Sequence, residues 1–284
     1  MALTNAQKHT VSHFVALTGA NDRTAQRFLK NANYKLDAAV DQYYNSSQAA
    51  QASNNKPDLA LNKMFDDLRD PDEDKDKDQI GVDSMMGYLT SLGVNPESCE
   101  IFVVLEIVQA TSFGQITRKG YVDGWKATGV TPAPASHRVH VRNCVAQLST
   151  DAAYFKRVYR HTFVAGKEAD QKAILVENAL VYWEMMFKPP GRPWASGRTD
   201  WLEAWNRFLL ENWKRSVNRD MWNQTLEFAR KTLEDETLSF WSESASWPSV
   251  IDQFVVWCRD NGVAAAPVAA GGGQRAVDGM DVDR

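Results

Sequence analysis

The chain is poor in the residues that would commit it to a special class. It has three cysteines in 284 residues, Cys99, Cys144 and Cys258, too few and too scattered for a disulfide framework, so reduced thiols are expected. Its longest apolar run, 101–108, is broken by Glu106, and a membrane span needs about 20 apolar residues. The opening MALTNAQKHT has no apolar core of the secretory-signal kind, so a soluble intracellular protein is expected. Glycine (16) and proline (10) are too sparse for a collagen-like or low-complexity chain. Bases do not exceed acids: the net charge of −4 argues against a dedicated nucleic-acid binder. Catalytic signatures are missing as well. There is no phosphate-binding GxxxxGK[ST], no GxGxxG after a strand, no HExxH and no GxSxG elbow.

What is present is a globular composition, 44% apolar and 24% charged, enough to bury a core. Charge is uneven. Residues 58–83 and 232–284 are each acidic by six, whereas 138–231 are basic by six. Separate acidic and basic faces follow, unless this is only a mixed solvated surface. All ten tryptophans lie at or after Trp125, which points to a dense aromatic core in the second half.

The apolar spacing is helical almost throughout. Val11, Phe14, Val15 and Thr18, then Ala25, Phe28 and Leu29, then Leu36, Ala39, Val40, Tyr43 and Tyr44 define three short helices within residues 1–45. Gly19 sits where a C-cap belongs, and Asn21 or Asp22 can cap the second helix. Residues 46–58, SSQAAQASNNKPD, are polar and aperiodic and read as a linker. Helices are expected over 84–92, 97–110, 200–213, 220–233 and 248–259, with strand signals only at Gln79–Val82 and Gln115–Thr117. The expected fold is all-α with one small β-bridge, pairing Ile80 with Ile116. Residues 263–284 are small, Gly-rich and unpatterned, a disordered tail by composition.

Two stretches invite a metal reading, and neither completes a site. His137, His140 and Cys144 share a helical face, but zinc needs four ligands and no fourth is near. Residues 70–80 resemble a calcium loop, yet from Asp72 position 6 is Lys77 and position 12 is Asp83. From Glu73, lysines fall at ligand positions. No cofactor is expected. Cys99 and Cys258 lie on apolar helix stripes, where a thiol is buried and inert.

Residues 7–44 resemble a UBA-type domain, the three-helix ubiquitin-binding module. Residues 64–259 resemble the PONY domain of the defective-in-cullin-neddylation family. The blocks that carry it are IGVDSMMGYLTSLGV, GQITRKGYVDGW, WNRFLLENWKRSVNRDMWNQTLEFA and SWPSVIDQFVVWC. The implied division is a UBA-like domain at 1–45, a linker at 46–58, a cullin-binding PONY domain at 59–262 with EF-hand-like helix-loop-helix pairs and a C-terminal helical bundle, and a tail at 263–284. The resemblance implies a scaffold-type ligase without a nucleophile of its own. Such a protein holds a cullin through its C-terminal winged-helix region. It also holds the N-acetylated conjugating enzyme charged with the ubiquitin-like modifier, alongside the RING subunit of the cullin complex. Nuclear and cytoplasmic residence follows from the same resemblance, with no nucleic-acid or membrane partner.

Carried over residue by residue, the family's Asp-Ala-Asp cullin patch falls on Asp220, Ser246 and Asp252, with serine for the usual alanine. By position alone, Asp220 also reads as a helix N-cap and Asp252 as a first-turn acid after Pro248. The receptor for the acetylated methionine falls on Val82, Met85, Ile101, Val104, Ile116, Phe163, Tyr182 and Met185, with Gly114 facing it. The same spacing also suits plain core. The UBA loop that commonly reads Met-Gly-Phe/Tyr is Thr18-Gly19-Ala20 here, so any ubiquitin binding at Gly19, Leu36, Val40 and Tyr43 is expected to be weak, and the last three suit either apolar surface or core. The rival reading is a ubiquitin-binding adaptor or a calcium-responsive interaction protein, resting on the UBA-like unit and the acidic loop.

Overall fold

The structure, a computed structural model, describes residues 3–44, 47–168 and 170–264. Among them are thirteen α-helices and four two-residue strands, so the protein is all-α. The chain forms two compact units, 1–193 and 194–284. No helix among the described residues is long and apolar enough to cross a membrane.

The first unit opens with α1 (Asn5–Thr18), α2 (Asp22–Asn31) and α3 (Leu36–Tyr44). Thr4 and Gln7 close a capping box on α1, Gly19 ends it at φ 68°, and Asn21 Oδ1 accepts the Thr24 N–H to cap α2. These are local signals, and they act where the sequence put them. The three helices close on Val11, Phe14, Ala25, Leu29, Ala39 and Tyr43.

Helix α4 (Ser47–Leu68) occupies most of the stretch read as a linker. The linker expectation rested on the missing apolar period. The stretch's Gln and Ala residues are nevertheless good helix formers, and it is continuous with the helix that runs to Leu68 and packs on the helix Arg118–Thr128. Position 46 and the tail from 265 lie outside the described residues.

Then follow β1 (Gln79–Ile80), α5 (Val82–Leu92), α6 (Glu100–Ile107), β2 (Ile116–Thr117) and α7 (Arg118–Thr128). The two strands pair antiparallel with Ile80 opposite Ile116, both fully buried. Two helix-loop-helix pairs are thereby joined at their loops, as expected. The acidic loop closes on its own carboxylate. Asp74, 6% exposed, accepts the N–H of Gly81 at 2.7 Å, the N–H of Asp70 at 2.9 Å and the Ser84 hydroxyl at 2.6 Å. Burial alone would raise its pKa, but these donors outweigh burial and hold it below the usual carboxylate value.

Arg118 pins this region together. Its guanidinium donates to Asp78 Oδ1 (2.8 Å), Asp66 Oδ1 (2.6 Å) and the Lys77 carbonyl (2.6 Å), and lies 4.7 Å over the Phe65 ring. One side chain thus links α4, the acidic loop and α7.

Helices α8 (Pro134–Thr150), α9 (Ala152–Gly166) and α10 (Val176–Met186), with β3 (Ala173–Ile174) between the last two, complete the unit. Its aromatic core is wired internally: Trp125 Nε1 donates to Tyr88 Oη at 2.8 Å, and Trp183 Nε1 to Tyr159 Oη at 2.7 Å. His137, 1% exposed, stacks flat on Trp125 at 3.5 Å, and neither ring nitrogen has a hydrogen-bond partner among the described residues.

That histidine sets an acid limit to stability. Burial, and next to it the nearby His140, lower its pKa from the ordinary 6.5 to about 4. The unfolded chain therefore takes up a proton near pH 6.5, and the folded chain only near pH 4. Stability is complete above pH 6.5 and falls as pH drops through the window to 4, by up to about 3 kcal/mol. Urea unfolding across that range checks this. His137→Phe is expected to flatten the slope, with a remnant from His140 and His161, which burial also holds low. Parallel slopes for the two proteins would contradict it.

The second unit holds α11 (Trp201–Asn212), β4 (Val217–Asn218), α12 (Arg219–Glu234) and α13 (Ser249–Asp260). Trp205 and Phe208 of α11 meet Phe254 of α13 at 4.9 and 5.3 Å between rings. Trp194 Nε1 donates to the buried Thr232 hydroxyl at 2.8 Å. Six tryptophans, Trp125, Trp183, Trp194, Trp201, Trp205 and Trp222, are fully buried. The aromatic wealth of the second half is therefore mainly core.

Candidate functional site

Two acids of the second unit, Asp220 and Asp252, lie in the first turns of α12 and α13. The N-cap of α12 is Asn218, whose Oδ1 accepts the Met221 N–H at 2.8 Å. Asp220, read from sequence as that cap, lies one step inside the first turn, exposed, with its carboxylate free of capping duty. Asn and Asp cap equally well, and the earlier residue took the role. Asp252 lies in the first turn of α13 as expected, half-buried, and accepts the Trp241 Nε1 hydrogen at 2.9 Å. Ser246 is exposed on the intervening loop. No hydrogen bond or ion pair joins these three among the described residues.

Beside Asp252 opens a cleft of about 470 Å3, walled by Phe208, Trp241 and Trp257 and edged by Glu243, Asp252 and Asp260. The wall is aromatic and the edge carries three acids, which favours a partner offering cations on an apolar surface. Trp241, Glu243 and Asp260 were not singled out in the sequence. The only hint was the acidic, Trp-bearing character of the last third.

The eight positions of the expected apolar receptor divide by depth. Met85, Ile101, Val104, Ile116 and Phe163 are core, each no more than 6% exposed. Val82, at the start of α5, is exposed, and Tyr182 and Met185 of α10 are half-buried. Phe113, missed by the sequence reading, links them: its ring stacks on Tyr182 at 5.1 Å and meets Phe102 edge-on at 5.8 Å. Next to it, Gly114 has φ 92°, and a Cβ there would come within 2.8 Å of Val82 Cγ2. Backbone and space both demand glycine. The outcome is an apolar surface of Val82, Gly114, Phe113, Tyr182 and Met185 lying over a packed core.

In the UBA-like helices, Gly19 is the left-handed cap of α1, and Leu36 and Val40 are half-buried. Tyr43 is 1% exposed, between Phe14 and Phe28. This corrects its place among surface contacts: helical spacing defines a stripe but not which side of it faces the core. Tyr44 and Leu17 are the exposed apolar residues here, each 57% exposed, and Tyr44 Oη donates to the Leu17 carbonyl.

The zinc stripe splits similarly. His137 is buried against Trp125, while His140 Nε2 and Cys144 Sγ lie 3.4 Å apart. The described residues bring no three or more His, Cys, Asp or Glu groups into a metal-holding cluster. Burial pushes the Cys99 and Cys258 thiols up to about 12, and raises Cys144. A thiol so shifted is a poor nucleophile at neutral pH.

The family model described as cullin binding matches residues 136–257, and one described as UBA-like domain matches residues 8–50. Defective in cullin neddylation protein 1 of Pyricularia oryzae is 46% identical over 294 residues, covering 100% of both chains. The protein of the same name from Yarrowia lipolytica is 28% identical over 88% of this chain and 96% of its own. That of Saccharomyces cerevisiae is 22% identical over 89% and 94%. With full-length similarity at this level, the chain belongs to the defective-in-cullin-neddylation family.

Proposed function

We propose that the protein promotes neddylation of cullins as a scaffold, binding the cullin and the modifier-charged, N-acetylated conjugating enzyme, and aligning the latter with the RING subunit. The observation that carries this reading is the full-length family membership of a chain with two distinct candidate docking surfaces and deeply buried, raised thiols. The cullin's winged-helix region is assigned to Asp220, Ser246 and Asp252. An acidic face of this kind selects a basic partner and speeds encounter. The conjugating enzyme's N-terminus is assigned to the Val82, Gly114, Phe113, Tyr182 and Met185 surface. Two modest interactions on one body raise effective concentration and orient the reacting groups.

The apolar surface makes a sharp prediction about acetylation. A free N-terminal ammonium is costly to desolvate, whereas an acetylated one carries no charge. Fluorescence anisotropy with the conjugating enzyme's N-terminal peptide is expected to show the acetylated form binding at least about tenfold tighter, about 1.4 kcal/mol. Gly114→Leu is expected to abolish the difference. Equal affinities of the two forms would remove this assignment.

A further inference from the structure

The His140–Cys144 stripe is used by neither surface above, yet it lines a cleft of about 750 Å3 in the first unit, where α6, α7, α8 and α9 converge. The cleft carries three carboxylates, Glu106, Asp123 and Asp151, against one guanidinium, Arg157, with Asp123 also paired to the exposed Lys119 and Asp151 capping α9; it stays negative by one. Two details show a built site. Glu106 is 8% exposed on a helix whose other buried residues are all apolar. Its carboxylate is held at 2.9 Å by Arg157 Nε, while the Arg157 side chain is itself 62% exposed. Tyr154, 6% exposed, also lines the cleft. Apart from the neighbouring Cys144 thiol, already against His140, its hydroxyl has no hydrogen-bond partner among the described residues. A buried hydroxyl left in that state calls for an acceptor.

Arg157 itself displays what the walls recognise. Its guanidinium lies 4.8 Å over the Tyr154 ring while pairing with Glu106, the cation held between a carboxylate and an aromatic face. A plug so exposed can swing out, but Glu106 then needs another cation, because an unpaired buried carboxylate is unfavourable. We propose that this cleft receives a basic peptide segment of a protein partner. The incoming arginine or lysine takes Glu106 and the Tyr154 ring in place of Arg157, and a peptide carbonyl accepts from the Tyr154 hydroxyl. The surplus of carboxylates draws such a segment in.

The test uses the full chain and an acetylated, amidated pentapeptide with one central arginine, the citrulline analogue serving as an uncharged control of the same shape. Amide chemical shifts are followed by nuclear magnetic resonance. Shifts centred on Asn143, Cys144 and Gln147 are expected, with the citrulline peptide inert. Glu106→Gln is expected to weaken binding at least about tenfold, and Arg157→Ala to tighten it severalfold by removing the plug. Tyr154→Phe, which keeps the ring, is expected to weaken binding severalfold without moving the melting temperature. No localised shift at millimolar peptide, equal binding of the citrulline peptide, or weaker binding by Arg157→Ala would each overturn the proposal.

Discussion

Reversing Asp220 and Asp252 together to lysine is expected to reduce affinity for the cullin's C-terminal region about a hundredfold, a loss of about 3 kcal/mol. The fold is expected to survive. Asp220 is exposed and caps nothing, so its reversal costs no more than the helix-dipole preference, about 1 kcal/mol. Asp252 is the more delicate position, because it accepts the Trp241 indole hydrogen at 2.9 Å. Asp252→Asn separates the two roles: the amide oxygen keeps the indole bond and only the charge is lost. That variant is expected to weaken binding about tenfold, with a reduced dependence on salt. Calorimetric titration at two ionic strengths measures both effects. Wild-type affinity in the double reversal would dismiss Asp220 and Asp252 as the contact.

The second large effect concerns folding. Gly124→Ala is expected to destabilise the first unit by about 3 kcal/mol, the upper end for overpacking. A Cβ at Gly124 would lie 1.8 Å from the Ile107 carbonyl oxygen and 2.9 Å from its carbon. Both are backbone atoms, so no rotamer change relieves the clash, and α7 must move away from the end of α6. Gly87→Ala on the exposed face of α5 is the opposite case. Nothing lies within 4 Å of its Cβ position, and the helix gains about 0.5–1 kcal/mol from the lost flexibility of glycine. Urea unfolding of the two variants is expected to bracket the wild type. A Gly124→Ala protein as stable as wild type would mean that the two backbones do not approach this closely.

Signals carried by a few neighbouring residues were legible in the sequence. The Gly19 cap, the Asn21 cap and the amphipathic stripes of α11 to α13 follow from spacing that a chain cannot easily disguise, and the Ile80–Ile116 pairing followed from the EF-hand-like shape of the loops. Where two residues competed for one role, the sequence misled, as with Asn218 over Asp220. Depth was hidden as well. Tyr43 and the four helical core positions of the apolar receptor, Met85, Ile101, Val104 and Phe163, have the same helical period whether they face solvent or core. Phe113 escaped notice because its partner Tyr182 is far away in the chain, and Trp241 because the loop before α13 folds it back on Asp252. Arg118 is the extreme case: its partners Asp66, Lys77 and Asp78 belong to separate segments, and nothing local marks it as a hub. The candidate cullin face was reached by residue-for-residue resemblance. The aromatic cleft beside Asp252 needed the fold.

The most direct measurement is a reconstituted cullin-neddylation time course with N-acetylated conjugating enzyme at limiting concentration, run with and without this protein. A scaffold that joins cullin and enzyme predicts a clear acceleration, lost on reversing Asp220 and Asp252 to lysine and lost separately with unacetylated enzyme. An unchanged rate with the folded wild-type protein would contradict the scaffold role itself.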